Sequence, residues 1–343
     1  GGGGGGGTAL LYARRAFIFP PAGFDISDRL FVRENRASIF NEKTPGRVYA
    51  GMIAPGKGPL TPIIRMWTTL LQLSHEIETI HGNCQHVDPF WTVVGYFNSV
   101  RELAGAWAIY TDDMVEWLKY MAENNYTHAP PRSIAADRRV ELSRRVSSAM
   151  LQQILEIISQ GNCTAPDALF STAMFGTGVD VPRLSLMVMH GQPKTTSSYI
   201  QATGRVGRAV GGLVINFYRA TRPRDLSHYE YFTSYHLALH KYVEPPSVNP
   251  YSERAIEVAG GPGYVAIARN SSSIDLIDNK SATSVKVINR DPSFIKPLEF
   301  IEERVKAING ILGTGSLDSD EIRQTFNSLV DRWVSIASSN PDL

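Results

Sequence analysis

Two cysteines in 343 residues, Cys84 and Cys163, are too few and too far apart to build a disulfide framework. Their scarcity fits a reducing, cytoplasmic setting. No apolar run approaches the roughly 20 residues of a membrane span, and no charged leader followed by an apolar stretch opens the chain. Neither a membrane partner nor export is therefore expected. Strong charge is missing too: the formal net charge is +1, so no overall field draws the chain to a polyanion. Apart from seven glycines at the start there is no low-complexity tract. A composition of 43% hydrophobic and 20% charged residues excludes a disordered chain. The glycine run, residues 1–7, reads as a linker or artefact and is set aside.

The most informative absence is local. Residues 181–224 contain no Asp or Glu, yet carry Arg183, Lys194, Arg205, Arg208, Arg219, Arg222 and Arg224. Seven cations without one acid, in a nearly neutral protein, predict a surface for an anion. Within the segment, Gln201, Arg205 and Arg208 are spaced i, i+4 and i+7, one face if the chain is helical there.

Around this segment the pattern is that of alternating strands and helices. Strands are expected at 14–19, 47–53, 91–97, 168–173, 184–190 and 213–218. Helices are expected at 61–81, from about Ser99, at 139–159 and at 196–203. Ser227-x-x-Glu230 matches a capping box opening a further helix to about Tyr242. Such alternation indicates βαβ units and a parallel sheet, with ligands at the carboxyl ends of strands. Beyond residue 250, Gly260, Gly261 and Gly263 predict a turn leading to strands at 265–269 and 284–288, then helices at 297–309 and 319–337. The expected organisation is a lead-in over 8–88, a parallel-sheet lobe over 89–250 and an α+β extension over 251–343.

FSTAMFGTGVDVPRL (residues 170–184) is similar to motif V of superfamily 2 helicases, and YIQATGRVGR (199–208) carries their motif VI pattern Gln-x-x-Gly-Arg-x-Gly-Arg in full. WTVVGYFNS (91–99) sits where motif IV belongs. The wording GQPKTTSSYIQATGRVGR, followed by RPRDLSHYE and YVEPPSVNPYS, resembles the large helicase subunit of DISARM-type phage-defence systems and its relatives. The resemblance covers roughly residues 14–252 and implies a RecA-like fold, the second of two lobes. It implies that Arg205 and Arg208 are arginine fingers to the γ-phosphate of ATP, with Gln201 one turn earlier to orient water or phosphate. Arginine suits this role because its fork donates to two phosphate oxygens and stays charged. Gly178 and Asp180 would face the nucleotide. Thr172, Asn98, Ser99, Lys194, Arg222 and Arg224 would meet a nucleic-acid backbone, DNA ahead of RNA. One departure stands out: Ala202 replaces the arginine that follows the glutamine in many families.

GMIAPGKG (51–58) nearly spells a phosphate loop, but Gly58 stands where a hydroxyl should hold Mg²⁺, and Pro55 interrupts the amide cradle. A turn after a strand is the expected structure. No Asp-Glu acid pair of the metal-holding kind follows it, so ATP and Mg²⁺ would be held mainly by an N-terminal lobe absent from this chain. His75, His81, Cys84 and His86 match no zinc spacing, and no metal site is expected. Asp225, Ser227, His228 and Glu230 do not predict a catalytic triad. Arg138, Arg139, Arg144 and Arg145 read as a solvated helix face. The expected function is the second RecA-like lobe of an ATP-dependent helicase or translocase, inactive alone, with phage-defence subunits as further partners. The alternative is a non-enzymatic module that binds nucleic acid or a protein.

Overall fold

The computed structural model describes residues 3–15, 23–24, 28, 30, 46–58, 60–82, 84–161, 163–176, 179–244, 248–271, 296–313 and 317–339. The chain divides into two compact units, Ala22–Glu244 and the combination of Gly1–Pro21 with Pro245–Leu343.

The larger unit holds six strands: β1 (Arg47–Ile53), β2 (Val93–Phe97), β3 (Arg139–Leu142), β4 (Ala168–Ser171), β5 (Leu186–His190) and β6 (Gly212–Tyr218). They form one sheet in the order β1-β6-β5-β2-β4-β3, every neighbouring pair parallel. This is a RecA-like α/β sheet with flanking helices. Its central strands are apolar on both faces, as a sheet covered by helices on each side requires. On one face Trp67, Phe97, Tyr110, Phe170 and Val188 pack with α2 (Leu60–His81), α4 (Val100–Thr111) and α5 (Asp113–Glu123). On the other, Val94, Tyr96, Met187, Met189 and Tyr199 pack with α6 (Ser148–Ser159) and α7 (Thr196–Thr203). Alternate residues of β2 and β5 divide between these two cores, the period of two that a strand imposes. Gly95 is required where α2 crosses β2, because a Cβ there would lie 2.5 Å from the Trp67 ring.

Helix α3 (Cys84–Trp91) leads into β2, and Ser99 caps α4 by accepting from the Glu102 amide. The expected helix over 139–159 is two elements. Residues 139–142 pair with β4 as β3, and α6 begins only at Ser148, capped by Ser147. Val140 and Leu142 also fit an alternating strand, and tertiary pairing with β4 decides between the two patterns. The expected capping box at Ser227 is likewise not used. Helix α8 (Pro223–Glu230) starts four residues earlier with Pro223 at its first position, and α9 (Phe232–Leu237) follows after a break at Tyr231.

Cys84 and Cys163 form a single disulfide, where their scarcity and separation predict no disulfide framework. It joins the start of α3 to the segment before β4 across 79 residues. Reduction, or Cys163→Ser, is expected to cost about 2–4 kcal/mol through the entropy of the unfolded chain. A melting temperature that is the same with and without dithiothreitol would refute this.

The smaller unit is helical in its described residues: α1 (Gly3–Tyr12), α10 (Glu253–Ser271), α11 (Lys296–Leu312) and α12 (Ser319–Ser339) around Tyr264, Val305, Ile308 and Phe326. Helix α1 takes in part of the glycine run, with Ala9 buried and Leu10 packed on this core. The expected glycine turn and strand at 265–269 are both inside α10. Gly260 is needed there because a Cβ would meet Ile256 at 2.9 Å and Leu329 at 3.0 Å. Close packing against α12 outweighs the poor helix propensity of glycine. The expected strand at 284–288, and residues 16–19 of the one at 14–19, lie outside the described residues. No helix among the described residues is long and apolar enough to cross a membrane.

Candidate functional site

In a parallel sheet the strands begin at one rim and end at the other, and the polar residues divide the same way. At the amino rim, Asp167 precedes β4 and is fully buried. It accepts from Arg132 Nη2 at 2.6 Å and Arg138 Nε at 3.0 Å. Arg132 is also buried, lies over the Trp91 ring, and donates to the Leu71 carbonyl and Ser74 Oγ. Beside it, Asp88 accepts from Arg183 and from the Cys163 amide. Arg138 and Arg139 are therefore not a solvated face: Arg138 pairs with Asp167, and Arg139 lies 4.1 Å over Trp107. Neither Arg132 nor Asp167 carries a motif that the sequence alone would have marked.

Near the start of β6, the glutamine-arginine segment is not one helical face. Helix α7 ends at Thr203 with Gly204 as its cap, and Arg205 and Arg208 follow in turns. Gly207 has φ +65°, and a Cβ there would stand 2.7 Å from Gly212, so only glycine lets this turn close against the strand. Arg205 donates to the carbonyls of Val179 at 3.0 Å and Gly176 at 3.1 Å, bridging the motif V loop. Arg208 donates to Asp180 at 2.5 Å, and both side chains are exposed. Gln201 is exposed, and its Cβ lies beside Gly176. The structure thus brings Gln201, Arg205, Arg208 and Asp180 to one place; Gly178 lies outside the described residues. Tyr199 steadies α7 from beneath, its hydroxyl 2.8 Å from His236 Nε2.

The carboxyl rim carries the other candidates. Asn98 Nδ2 donates to the carbonyls of His190 and Gln192, and Ser99 caps α4. Thr172 is buried where β4 turns away, its amide donating to Leu142. Arg222 pairs with Glu102, which also meets Arg219 at 3.4 Å. Arg224 donates to the carbonyls of Pro193 and Lys194. Asp225, buried, accepts from the amides of Gln192 and Arg219, which leaves no triad with His228. His190 ends β5 fully buried, accepting from Trp67 Nε1 at 3.1 Å, and burial pushes its pKa down to about 3. It is a neutral ring in the fold.

The seven cations of residues 181–224 are consequently not one free basic surface. Arg183, Arg208, Arg219 and Arg222 have carboxylate partners, and Arg205 and Arg224 hold carbonyls. Lys194 is exposed, and its ammonium has no partner among the described residues. Residues 51–58 form the end of β1 and a turn, as expected. Cys84, Asp88 and Cys163 cluster, but the two sulfurs are bonded to each other, and Asp88 serves Arg183.

Residues 132–210 match the helicase conserved C-terminal domain family. The DISARM protein DrmA of Bacillus paralicheniformis is 36% identical over 327 residues, a stretch covering 95% of this chain and 28% of that protein. The chain thus spans little more than a quarter of the length of that relative. Among solved structures, the DUF1998 helicase MrfA bound to DNA aligns at 17% identity and a TM-score of 0.43, covering 60% of this chain and 24% of that one. Domain 2 of the DEAD-box helicase Mss116p bound to an RNA duplex aligns at 13% identity and a TM-score of 0.36, covering 80% and 88%.

Proposed function

From a chain that carries the C-terminal lobe of a superfamily 2 helicase, we propose the second RecA-like half of an ATP-dependent DNA helicase or translocase. Its ATP and Mg²⁺ would be held mainly by a first lobe outside these 343 residues. The observation that carries the reading is the pairing of Arg208 with Asp180. Both side chains are exposed, so the pair is worth at most about 1 kcal/mol. A guanidinium held so lightly is free to leave the carboxylate for a phosphate.

The residues present fit the phosphate side of a nucleotide site. Arg208 meets the charge that develops on the γ-phosphoryl oxygens, and Gln201 orients the attacking water. Arg205 holds the motif V loop through two carbonyls, and can turn one donor to phosphate when the lobes close. They do not fit the metal side, since Gly58 offers no hydroxyl. When bound, ATP supplies the phosphoanhydride whose cleavage drives the motor. At the carboxyl rim Asn98, Ser99, Thr172 and Lys194 would follow the nucleic-acid backbone, with Arg222 and Arg224 bracing the turns that present them. The DrmA relative supports a place in phage defence, with other subunits of such a system as partners.

The test is ATP hydrolysis by this chain alone and by the chain joined to a lobe bearing a phosphate loop. Hydrolysis is expected only in the joined form, stimulated by nucleic acid and weakened by salt. Hydrolysis by the isolated chain that disappears in Lys57→Ala would place the phosphate loop at 51–58 and overturn the split site.

A further inference from the structure

Strands β1 and β6 run side by side to a shared end, with Ile53 opposite Tyr218. The turns that follow them leave the sheet together and enclose a cleft of about 160 Å³, lined by Gly56, Lys57, Gly58, Phe217, Arg219 and Thr221 among others. Its described lining residues include two cations and no acid. Lys57 is exposed, with no hydrogen bond or ion pair among the described residues. Arg219 is underused. Its Nε is buried with no partner among the described residues, and its carboxylate contact, to Glu102 at 3.4 Å, is long and shared with Arg222. Gly56 has φ +75°, and a Cβ on Gly56 or Gly58 would meet nothing within 4 Å. The backbone of the turn is therefore open to a ligand from the cleft side. The acids nearby are already engaged: Glu102 by the two arginines, Asp225 by backbone amides.

We propose that Lys57 and Arg219, with the Gly56–Gly58 turn, bind a backbone phosphate of the nucleic-acid strand at the β1–β6 end of the carboxyl rim. The proposal rests on the nucleic-acid reading of that rim and extends it to the edge strand. The rim is continuous at this point, because Glu102 joins Arg219 to the helix that Ser99 caps. The chemistry selects a phosphodiester over a nucleotide triphosphate. A phosphodiester carries one negative charge and needs no metal, whereas a triphosphate brings Mg²⁺, for which the described lining of this cleft offers no carboxylate. Arginine supplies fork donors and lysine a point charge, the usual pair for backbone contacts without base selectivity.

The experiment is fluorescence anisotropy with a labelled oligonucleotide of about 20 nucleotides, single-stranded DNA first and RNA beside it, titrated at several salt concentrations. The proteins are the full chain and its Lys57→Ala, Lys57→Glu and Lys57→Arg variants. Lys57→Ala is expected to weaken binding several-fold and to reduce the slope of log K against log salt by about 0.7, the loss of one phosphate contact on a single strand. Lys57→Glu should weaken it further, and Lys57→Arg should retain it. Melting temperatures should not change, because the side chain is exposed. Wild-type binding with an unaltered slope in Lys57→Ala would overturn this site and leave the nucleic-acid reading standing. No binding by the wild type to either polymer would overturn both. Displacement of a fluorescent ATP analogue in Lys57→Ala, with DNA binding intact, would make the cleft a nucleotide site and overturn the proposal.

Discussion

Arg208→Ala, introduced into an enzyme that carries both lobes, is expected to lower kcat for ATP hydrolysis by about 10³–10⁵-fold, the range for removal of an arginine finger. The fold should hardly register the change. Asp180 loses its partner but is 65% exposed on its side chain, so water replaces the guanidinium. KM for ATP should move far less than kcat, because the proposed contact is to charge that develops during phosphoryl transfer. Arg208→Lys should not rescue, since a point charge cannot span two phosphate oxygens. A double-lobe enzyme that keeps its kcat without Arg208 would refute the assignment.

The largest expected loss of stability is at Asp167, where β4 begins. Asp167→Ala should destabilise the larger unit by about 3–5 kcal/mol, the cost of leaving a buried charge uncompensated. Arg132 is the reason: its side chain is 2% exposed, and Asp167 is its ion-pair partner. Arg138 also loses its partner, but at 35% exposure it is open to water. Arg138→Ala should therefore cost less than Asp167→Ala. Urea denaturation measures both, and a midpoint for Asp167→Ala equal to that of wild type would show that Arg132 finds other support. Replacing the pair together, Asp167→Leu with Arg132→Met, should recover much of the loss, because two uncharged side chains leave no ion to desolvate.

Most of the sheet was legible because its strands are short apolar runs with clear ends. The helix expected at 196–203 matches α7 residue for residue, and Thr195 caps it as a hydroxyl should. Legibility failed where one stretch suits two periods. Residues 139–159 carry apolar positions that a helix could share, and only pairing with β4 makes a strand of the first four. It failed again where composition was taken for conformation: Gly260 sits inside α10 because Leu329 and Phe326 of α12 press close to it, while Gly261 and Gly263 face open space. The candidate site shows the same limit. Motif VI identified Arg205 and Arg208, but their partners at positions 176, 179 and 180 come from another segment. An acid-free stretch says nothing of the acids that folding brings, and Asp88, Glu102 and Asp180 all lie outside it. Asp167 and Arg132 were invisible for a related reason, since single buried ion pairs have no spacing to read.

The disulfide, the Asp88–Arg183 pair and the Asp167 cluster all fasten segments that enter the strands. None of these fastenings touches the turns that leave β1, β2, β5 and β6. One margin of the sheet is a hinge-pin row and the other an open jaw. The turns at the jaw are tied chiefly to one another, by Asn98 on the His190 and Gln192 carbonyls and by Asp225 on the Gln192 and Arg219 amides. They therefore move or stay as a group while the opposite row keeps the strands in order.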